Sequence, residues 1–355
     1  MIGLILATKY KVLRMIGSGG MGKVYSCLRI EIGDEVAIKV LSKNPESSEL
    51  LNEARAAGVS NHPNICKVFD YFEENGQCFL VMEKLEGLDL SKIIEISNHL
   101  SERFTFRFIF GVIREIALAL QHSHISVLHR DIKPANIFLT TQGEIKILDF
   151  GIAKFLKFKS DQETHPCTEA YSSPDLWIDG KYDSSKYEAS HDIYSLGLIF
   201  YEMFNLKQAS RNLKILSLST EDYQAPEAIE SFFCLWVSPR KSERFKNAEE
   251  LISAIDLIYP EDFNVKQDVQ QVVFKAIGHL NRNLTLKESI PVNIHKSTKI
   301  QSRDSWLVVA TFTAIILTSL AMEYYFNYRV PINPHDKILS LLVKKDQSRG
   351  LASPE

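Results

Sequence analysis

Runs of alternating apolar and polar residues dominate as far as Met82, and helical spacing dominates after it. Tyr10 to Ile16 alternates, breaks at Gly17-Ser18-Gly19-Gly20-Met21-Gly22 and resumes at Val24-Tyr25, which predicts strand, glycine-rich turn, strand. Ile2 to Ala7 is an apolar lead-in to the first strand, too short and too poor in basic flanks for a secretion signal. Val36 to Leu41 predicts a further strand, interrupted by one lysine, Lys39. Glu46 to Gly58 has helical composition and stops at His62-Pro63-Asn64, where the proline restricts the residue before it. Ile65 to Phe72 and Gln77 to Met82 predict a hairpin turning at Glu73-Glu74-Asn75-Gly76.

Beyond the short polar connection Glu83 to Gly87 the period changes. Phe106, Phe110, Ile113, Ala117 and Leu120 form the stripe of a long helix facing a core. Ile137 to Leu139 and Glu144 to Leu148 predict a small hairpin turning at Thr141 to Gly143. Ile193 to Phe200 is apolar nearly all round, as in a helix buried on every side, and Asp192 at its head then needs partners. Val265, Val269, Val272, Ala276 and Leu280 keep helical spacing, and 282–304 is polar and linker-like. Trp306 to Met322 is seventeen residues without a charge.

Composition narrows the class. With 45% apolar and 24% charged residues, the 355-residue chain is globular, one large or two ordinary domains. A net charge of -3 supplies no overall basic field, so nucleic acid is not an expected partner. Cys27, Cys66, Cys78, Cys167 and Cys234 lie far apart, odd in number and without C-x-x-C spacing, against a disulfide framework or a zinc site.

Chemistry concentrates in His129 to Asn136, H-R-D-I-K-P-A-N. Within eight residues it holds a carboxylate to orient a hydroxyl, an ammonium to neutralise a phosphate and a carboxamide to hold a metal ion. Alone, such a loop is most often a solvated turn. Gly17, Gly19 and Gly22 occupy G-x-G-x-x-G positions, where a missing Cβ lets amides approach phosphate. A dinucleotide fold would put a helix after those glycines, and here a strand follows. Lys39 is either an edge-strand charge or a phosphate contact, and Glu53 either a surface glutamate or its partner. Asp149-Phe150-Gly151 ends the hairpin, as turn chemistry or as a second oxygen ligand that joins Asn136 on one magnesium ion.

In order and spacing, the glycine loop, Val36-Ala37-Ile38-Lys39, the H-R-D-x-K-x-x-N loop and Asp149-Phe150-Gly151 resemble the signature set of eukaryotic-like (Hanks-type) protein kinases, bacterial serine/threonine branch. The resemblance runs from about Tyr10 to Tyr259. It implies an α+β bilobal fold: a small β-rich N-lobe with one main helix, about 10–82, and a larger helical C-lobe, about 88–259. It further implies ATP, with Mg2+ or alternatively Mn2+, and protein substrates. Residues 16–22, that is Ile16, Gly17, Ser18, Gly19, Gly20, Met21 and Gly22, would cover the nucleotide, and Lys39, positioned by Glu53, would hold its α- and β-phosphates. Asp131 would handle the substrate hydroxyl proton, Lys133 the γ-phosphate, and Asn136 with Asp149 the metal. Lys133 at its place favours serine or threonine as acceptor. Adenine would lie between Ile16, Val24 and Ala37 above and Phe138 below, with hinge backbone at Glu83 and Leu85, Met82 as gatekeeper and Asp89 on the ribose.

An activation segment would run from Ile152 to Asp175, with Ser160 and Thr164 as regulatory phosphate acceptors facing Arg130 and with Thr168 positioning substrate. Asp192 would bind the catalytic-loop backbone, and 205–226 is the stretch expected to differ from the family. The usual A-P-E is Ser173-Pro174-Asp175 here, a carboxylate one methylene shorter, expected to loosen its pair with Arg244.

The tail predicts a membrane anchor. As a helix, Trp306 to Met322 spans about 26 Å against about 30 Å of bilayer core. Trp306 and Tyr324, Tyr325 and Tyr328 resemble aromatic belts, giving a transmembrane helix at 306–326 after a juxtamembrane linker at 260–305 that contains a helix. Thr311, Thr313, Thr318 and Ser319 suit a buried or interfacial helix instead. Lysines and arginines on both sides leave orientation open, and the need for ATP puts the kinase domain in the cytoplasm and the tail 327–355, too small for its own core, outside. The rival from another class is a catalytically silent kinase-fold scaffold at the membrane, and a homodimer stays open.

Overall fold

The computed structural model describes residues 1–19, 22–41, 61–149, 170–178, 181–209, 217–219, 225–260 and 264–288. The predicted helix 46–58 with Glu53, the loop tip Gly20 and Met21, Ser160, Thr164 and Thr168, the span 306–326 and the tail 327–355 lie outside the described residues.

Six antiparallel strands make the N-terminal sheet, in the order β1 (Ile5–Leu6), β2 (Tyr10–Gly19), β3 (Gly22–Arg29), β4 (Glu35–Leu41), β6 (Gln77–Glu83), β5 (Val68–Glu74). Period-two patterning drives it. Tyr10, Val12, Tyr25, Cys27, Val36, Ile38, Phe79 and Val81 all turn to one buried cluster. The stack Tyr10, Phe72, Phe79, with centroids 5.7 and 4.9 Å apart, closes its outer end. Asn75 (φ 51°) and Gly76 (φ 71°) form the two-residue left-handed turn that matches strand twist between β5 and β6. The strand predicted from Ile65 begins at Val68 instead, and Ile65 bridges in parallel to Ile147 of the other lobe.

The C-terminal lobe is mainly helical. β7 (Gly87–Asp89), β8 (Ile137–Thr140) and β9 (Ile145–Ile147) form a small sheet beneath the first one's hinge. Around it pack α1 (Leu90–Leu100), α2 (Phe106–Ser123), α3 (Ala189–Asn205), α4 (Glu227–Trp236) and α5 (Ala248–Ile258). Thr105 caps α2 by accepting from the Phe108 amide at 3.2 Å, and the stripe Phe110, Ile113, Ala117, Leu120 is fully buried. In α3 the run Ser190 to Phe204 is buried throughout, packed by Phe110, Phe232 and Trp236 around Phe200.

A further helix, α6 (Lys266–Glu288), docks on this lobe through Val269, Val273 and Ala276, with Val265 just ahead of it. Val265 sits so close to α2 that a Cβ on Gly111 would lie 2.0 Å from its Cγ1. Chain 1–280 forms one compact unit, so the helix assigned from sequence to a linker is packed into the same body as both lobes as far as Leu280. The other unit is Asn281–Glu355, described only to residue 288. Among the described residues, no helix is long and apolar enough to cross a membrane.

Candidate active site

The buried carboxylate of Asp192 organises the loop that starts at His129. At the head of α3 and with no exposed surface, it accepts from the amides of His129 and Arg130, both at 2.9 Å, and from the Tyr187 hydroxyl at 2.7 Å. His124 Nε2 meets it at 2.9 Å. Burial pushes the Asp192 carboxyl upward, but hydrogen bonding and charge from His124 outweigh it and hold the group below the usual carboxylate range. Burial, and then the nearness of that carboxylate, drives the Tyr187 phenol well above its ordinary value. These contacts hold Arg130 in the left-handed region, φ 68°, at a cost of about 1–2 kcal/mol for an ordinary residue.

His129 fixes the loop from inside. Its Nε2 lies 2.8 Å from the Leu148 carbonyl and its Nδ1 accepts from the Asp131 amide at 3.2 Å. Leu148 precedes Asp149, so one imidazole spans the two acidic stretches. After it, Lys133 Nζ reaches Asp131 Oδ2 at 2.7 Å, and the Asn136 amide nitrogen donates to the Asp131 carbonyl at 2.7 Å and to Oδ2 at 3.1 Å. Pro134 starts the 3-10 turn that presents Asn136.

The roof comes from the N-lobe sheet. Gly17, Val24 and Lys39 lie opposite one another across β2, β3 and β4, and cross-strand neighbours share a face. Ala37, two residues from Lys39 and paired with Met82, shares it too. Gly22, at φ +130°, adopts a backbone that other residues rarely reach. Ile16 and Ser18 flank Gly17 on β2 and are exposed. Lys39 Nζ then crosses to the opposite lobe and pairs with Asp149 Oδ2 at 2.6 Å. Below, Phe138 lies opposite Asp89 on β7, and Asp89 also caps α1 by accepting from the Lys92 amide at 2.9 Å. Glu83 and Leu85 lie at the junction of the lobes, both part-buried.

A divalent ion suits this donor set. The Asn136 nitrogen faces the Asp131 oxygens, which leaves its carbonyl oxygen for a cation, and Lys39 on one Asp149 oxygen leaves the other. Two protein oxygens, completed by water and phosphate oxygens, are the usual coordination for magnesium. Among the described residues, no cluster of three or more His, Cys, Asp or Glu forms a cage independent of a nucleotide.

Asp175 departs from expectation. The shorter carboxylate keeps its ion pair with buried Arg244, accepts from Ser173 Oγ, and gains His191 Nε2 at 2.8 Å on its second oxygen. Burial raises the Asp175 carboxyl, yet the bonds from Arg244, Ser173 and His191 overcome it and hold the group well below the ordinary range. The missing methylene does not loosen this anchor, because the Asp175 carboxylate is shared between Arg244 and an imidazole presented from the first turn of α3. His191, His124 and Tyr187 were not singled out from sequence; polar residues beside a buried aspartate were the only available signal.

A glycine-turned β roof carrying a lysine, above a buried H-R-D loop and a metal-competent aspartate, defines the cleft of the protein kinase fold. The protein kinase domain model matches residues 10–260, and the chain belongs to that family, in its bacterial serine/threonine branch. It is 26% identical over 356 residues to the serine/threonine-protein kinase PrkC of Bacillus subtilis, covering 90% of this chain and 53% of the relative. Against PknA of Mycobacterium tuberculosis identity is 33% over 238 residues, 63% of this chain and 53% of the relative. Against the probable serine/threonine-protein kinase PknB of Lactococcus lactis it is 30% over 277 residues, 72% and 42%. The chain thus spans about half the length of the curated relatives it matches.

Proposed function

We propose that this chain transfers the γ-phosphate of ATP to serine or threonine hydroxyls of proteins, phosphorylates its own activation segment at Thr164 or Ser160, and works at a membrane. The supporting observation is the Lys39–Asp149 contact of 2.6 Å across one cleft from the Asp131, Lys133, Asn136 cluster. Asp131, hydrogen-bonded by Lys133 and Asn136, would orient the acceptor hydroxyl and take its proton, worth roughly 10²- to 10⁴-fold in rate. Lys39 and Lys133 neutralise charge on the nucleotide's phosphates, the main work in phosphoryl transfer. Asn136 and Asp149 would hold magnesium, which when bound shields the phosphate oxygens. Single-pass anchoring by 306–326, with the kinase domain cytoplasmic, rests on the uncharged run from Trp306 and its aromatic flanks.

The test compares wild type and Asp131→Asn with labelled ATP and magnesium, followed by peptide mapping. Expected are labelling of a generic protein acceptor by wild type, phosphate on Thr164 or Ser160, and a drop of about 10²- to 10⁴-fold in the variant. A folded, unreactive wild type would leave the scaffold as the better account. Release of the full chain from membranes by high salt would remove the anchor.

A further inference from the structure

Lys146 is 5% exposed, the one charged residue of β9, between buried Ile145 and Ile147. It lies opposite Phe138, which lies opposite Asp89, so Asp89, Phe138 and Lys146 make one row on one face of the small sheet. The first two belong to the proposed nucleotide site. The third turns to the hinge: Lys146 Nζ is 3.3 Å from Glu83 Oε1 and 3.5 Å from Oε2, with the half-exposed Glu144 further off at 3.7 Å.

Glu83 is gripped from the other lobe as well. Its Oε1 accepts from the Lys67 amide at 2.8 Å, and its own amide donates to the Lys67 carbonyl at 2.9 Å. Next along the hinge, Lys84 Nζ pairs with Glu35 of β4 at 2.7 Å. Consecutive hinge side chains are therefore tied to different lobes, Glu83 down to β9 and Lys84 up to β4.

We propose that Lys146 is a positioning residue for nucleotide binding: by pairing with Glu83 behind the hinge, it fixes the backbone that faces the base over the floor formed by Phe138. Lys146 is nearly dry and Glu83 part-buried, with side-chain exposures of 6% and 20%, so removing one partner leaves the other charge poorly compensated, Lys146 with only the half-exposed Glu144 and Glu83 with only the Lys67 amide, and loosens the hinge. The charged partners of Lys146 are Glu83 and Glu144, on the hinge side of the sheet, so its loss acts on affinity, leaving the chemical step intact. The inference rests on the nucleotide site proposed above.

The experiment titrates Mg–ATP by calorimetry into full-length wild type, Lys146→Met, Lys146→Arg, Glu83→Gln and the Lys146→Met/Glu83→Gln double variant, with steady-state kinetics and nucleotide-free melting on each. Expected is about tenfold weaker ATP binding for Lys146→Met and for Glu83→Gln, an equal rise in KM, and kcat at saturating ATP within about twofold of wild type. The double variant should be no worse than either single one, and Lys146→Arg should stay near wild type. If Lys146→Met does not fold, the near-isosteric Glu83→Gln reads the same pair. Wild-type affinity in Glu83→Gln, additive losses in the double variant, or a fall in kcat with KM unchanged would each overturn the proposal while leaving the nucleotide site in place. Failure of folded wild type to bind ATP would overturn the site and the positioning role together.

Discussion

Asp175 shows how a shorter side chain is accommodated by its surroundings. With Arg244 and Ser173 on one side and His191 on the other, the carboxylate stays ionised in a part-buried place. Its pKa is depressed on folding, so the stabilisation is complete above the unfolded value, about pH 4, and fades as pH falls toward the folded value. Asp175→Asn should therefore cost about 2 kcal/mol at neutral pH, from charge-assisted bonds lost, and the two melting curves should converge below about pH 4. Constant separation down to pH 3 would show that charge is not what the site uses. The converse change, Asp175→Glu, should be tolerated better with His191→Ser than alone, read as a rise in melting temperature of the double over the single variant. At this scale the motif residues were legible in sequence because Asp131, Lys133 and Asn136 lie within one short loop. His191 and His124 were not, since their partners lie 16 and 68 residues away and only chain folding brings them together, and Tyr187, though 5 residues from Asp192, belongs to no motif that marks it.

At the scale of elements, periodicity located α2, α3 and the hairpins, where one face or every face is apolar. It passed over α1, whose eleven residues bury Leu90, Ile93, Ile94 and Ile96 while its cap, Asp89, drew attention as a ribose contact. In α6 the apolar spacing was legible but the buried line was not quite the expected one: Val269, Val273 and Ala276 are covered, while Val272 and Leu280 are only partly so. The reason is the partner surface, which sequence alone does not reveal. Gly143, in the turn between β8 and β9, is part of that surface. It sits at φ +82°, and a Cβ there would lie 2.3 Å from the Lys266 carbonyl oxygen. Near it Gln270 donates to the Thr141 carbonyl at 3.3 Å, and Arg107 reaches Asp268 at 3.2 Å. Gly143→Ala should lower stability by about 1–3 kcal/mol through the strained backbone and the blocked docking of α6. Proteolysis should then cut at the start of α6 before any other described helix; an uncut helix would show that the turn relaxes without it.

For the molecule as a whole, two lobes meet where Lys39 touches Asp149 and where Glu83 touches Lys146. The family and the bilobal fold could be named from four short motifs in order, because each keeps its residues close in sequence. How far the folded body extends could not, because the packing of Val265 against Gly111 joins residues 154 positions apart. Asp192 carries a consequence at this same scale. Its one carboxylate gathers two loop amides, a tyrosine hydroxyl and an imidazole onto the helix that forms the centre of the core. The loop His129 to Asn136 is therefore expected to have no melting transition of its own, so that the proposed phosphotransfer is lost in step with unfolding of the C-lobe. Tryptophan fluorescence and residual phosphotransfer, followed on one heating ramp, should fall at the same midpoint, and in Asp192→Asn the activity midpoint should separate from the fluorescence midpoint and move below it.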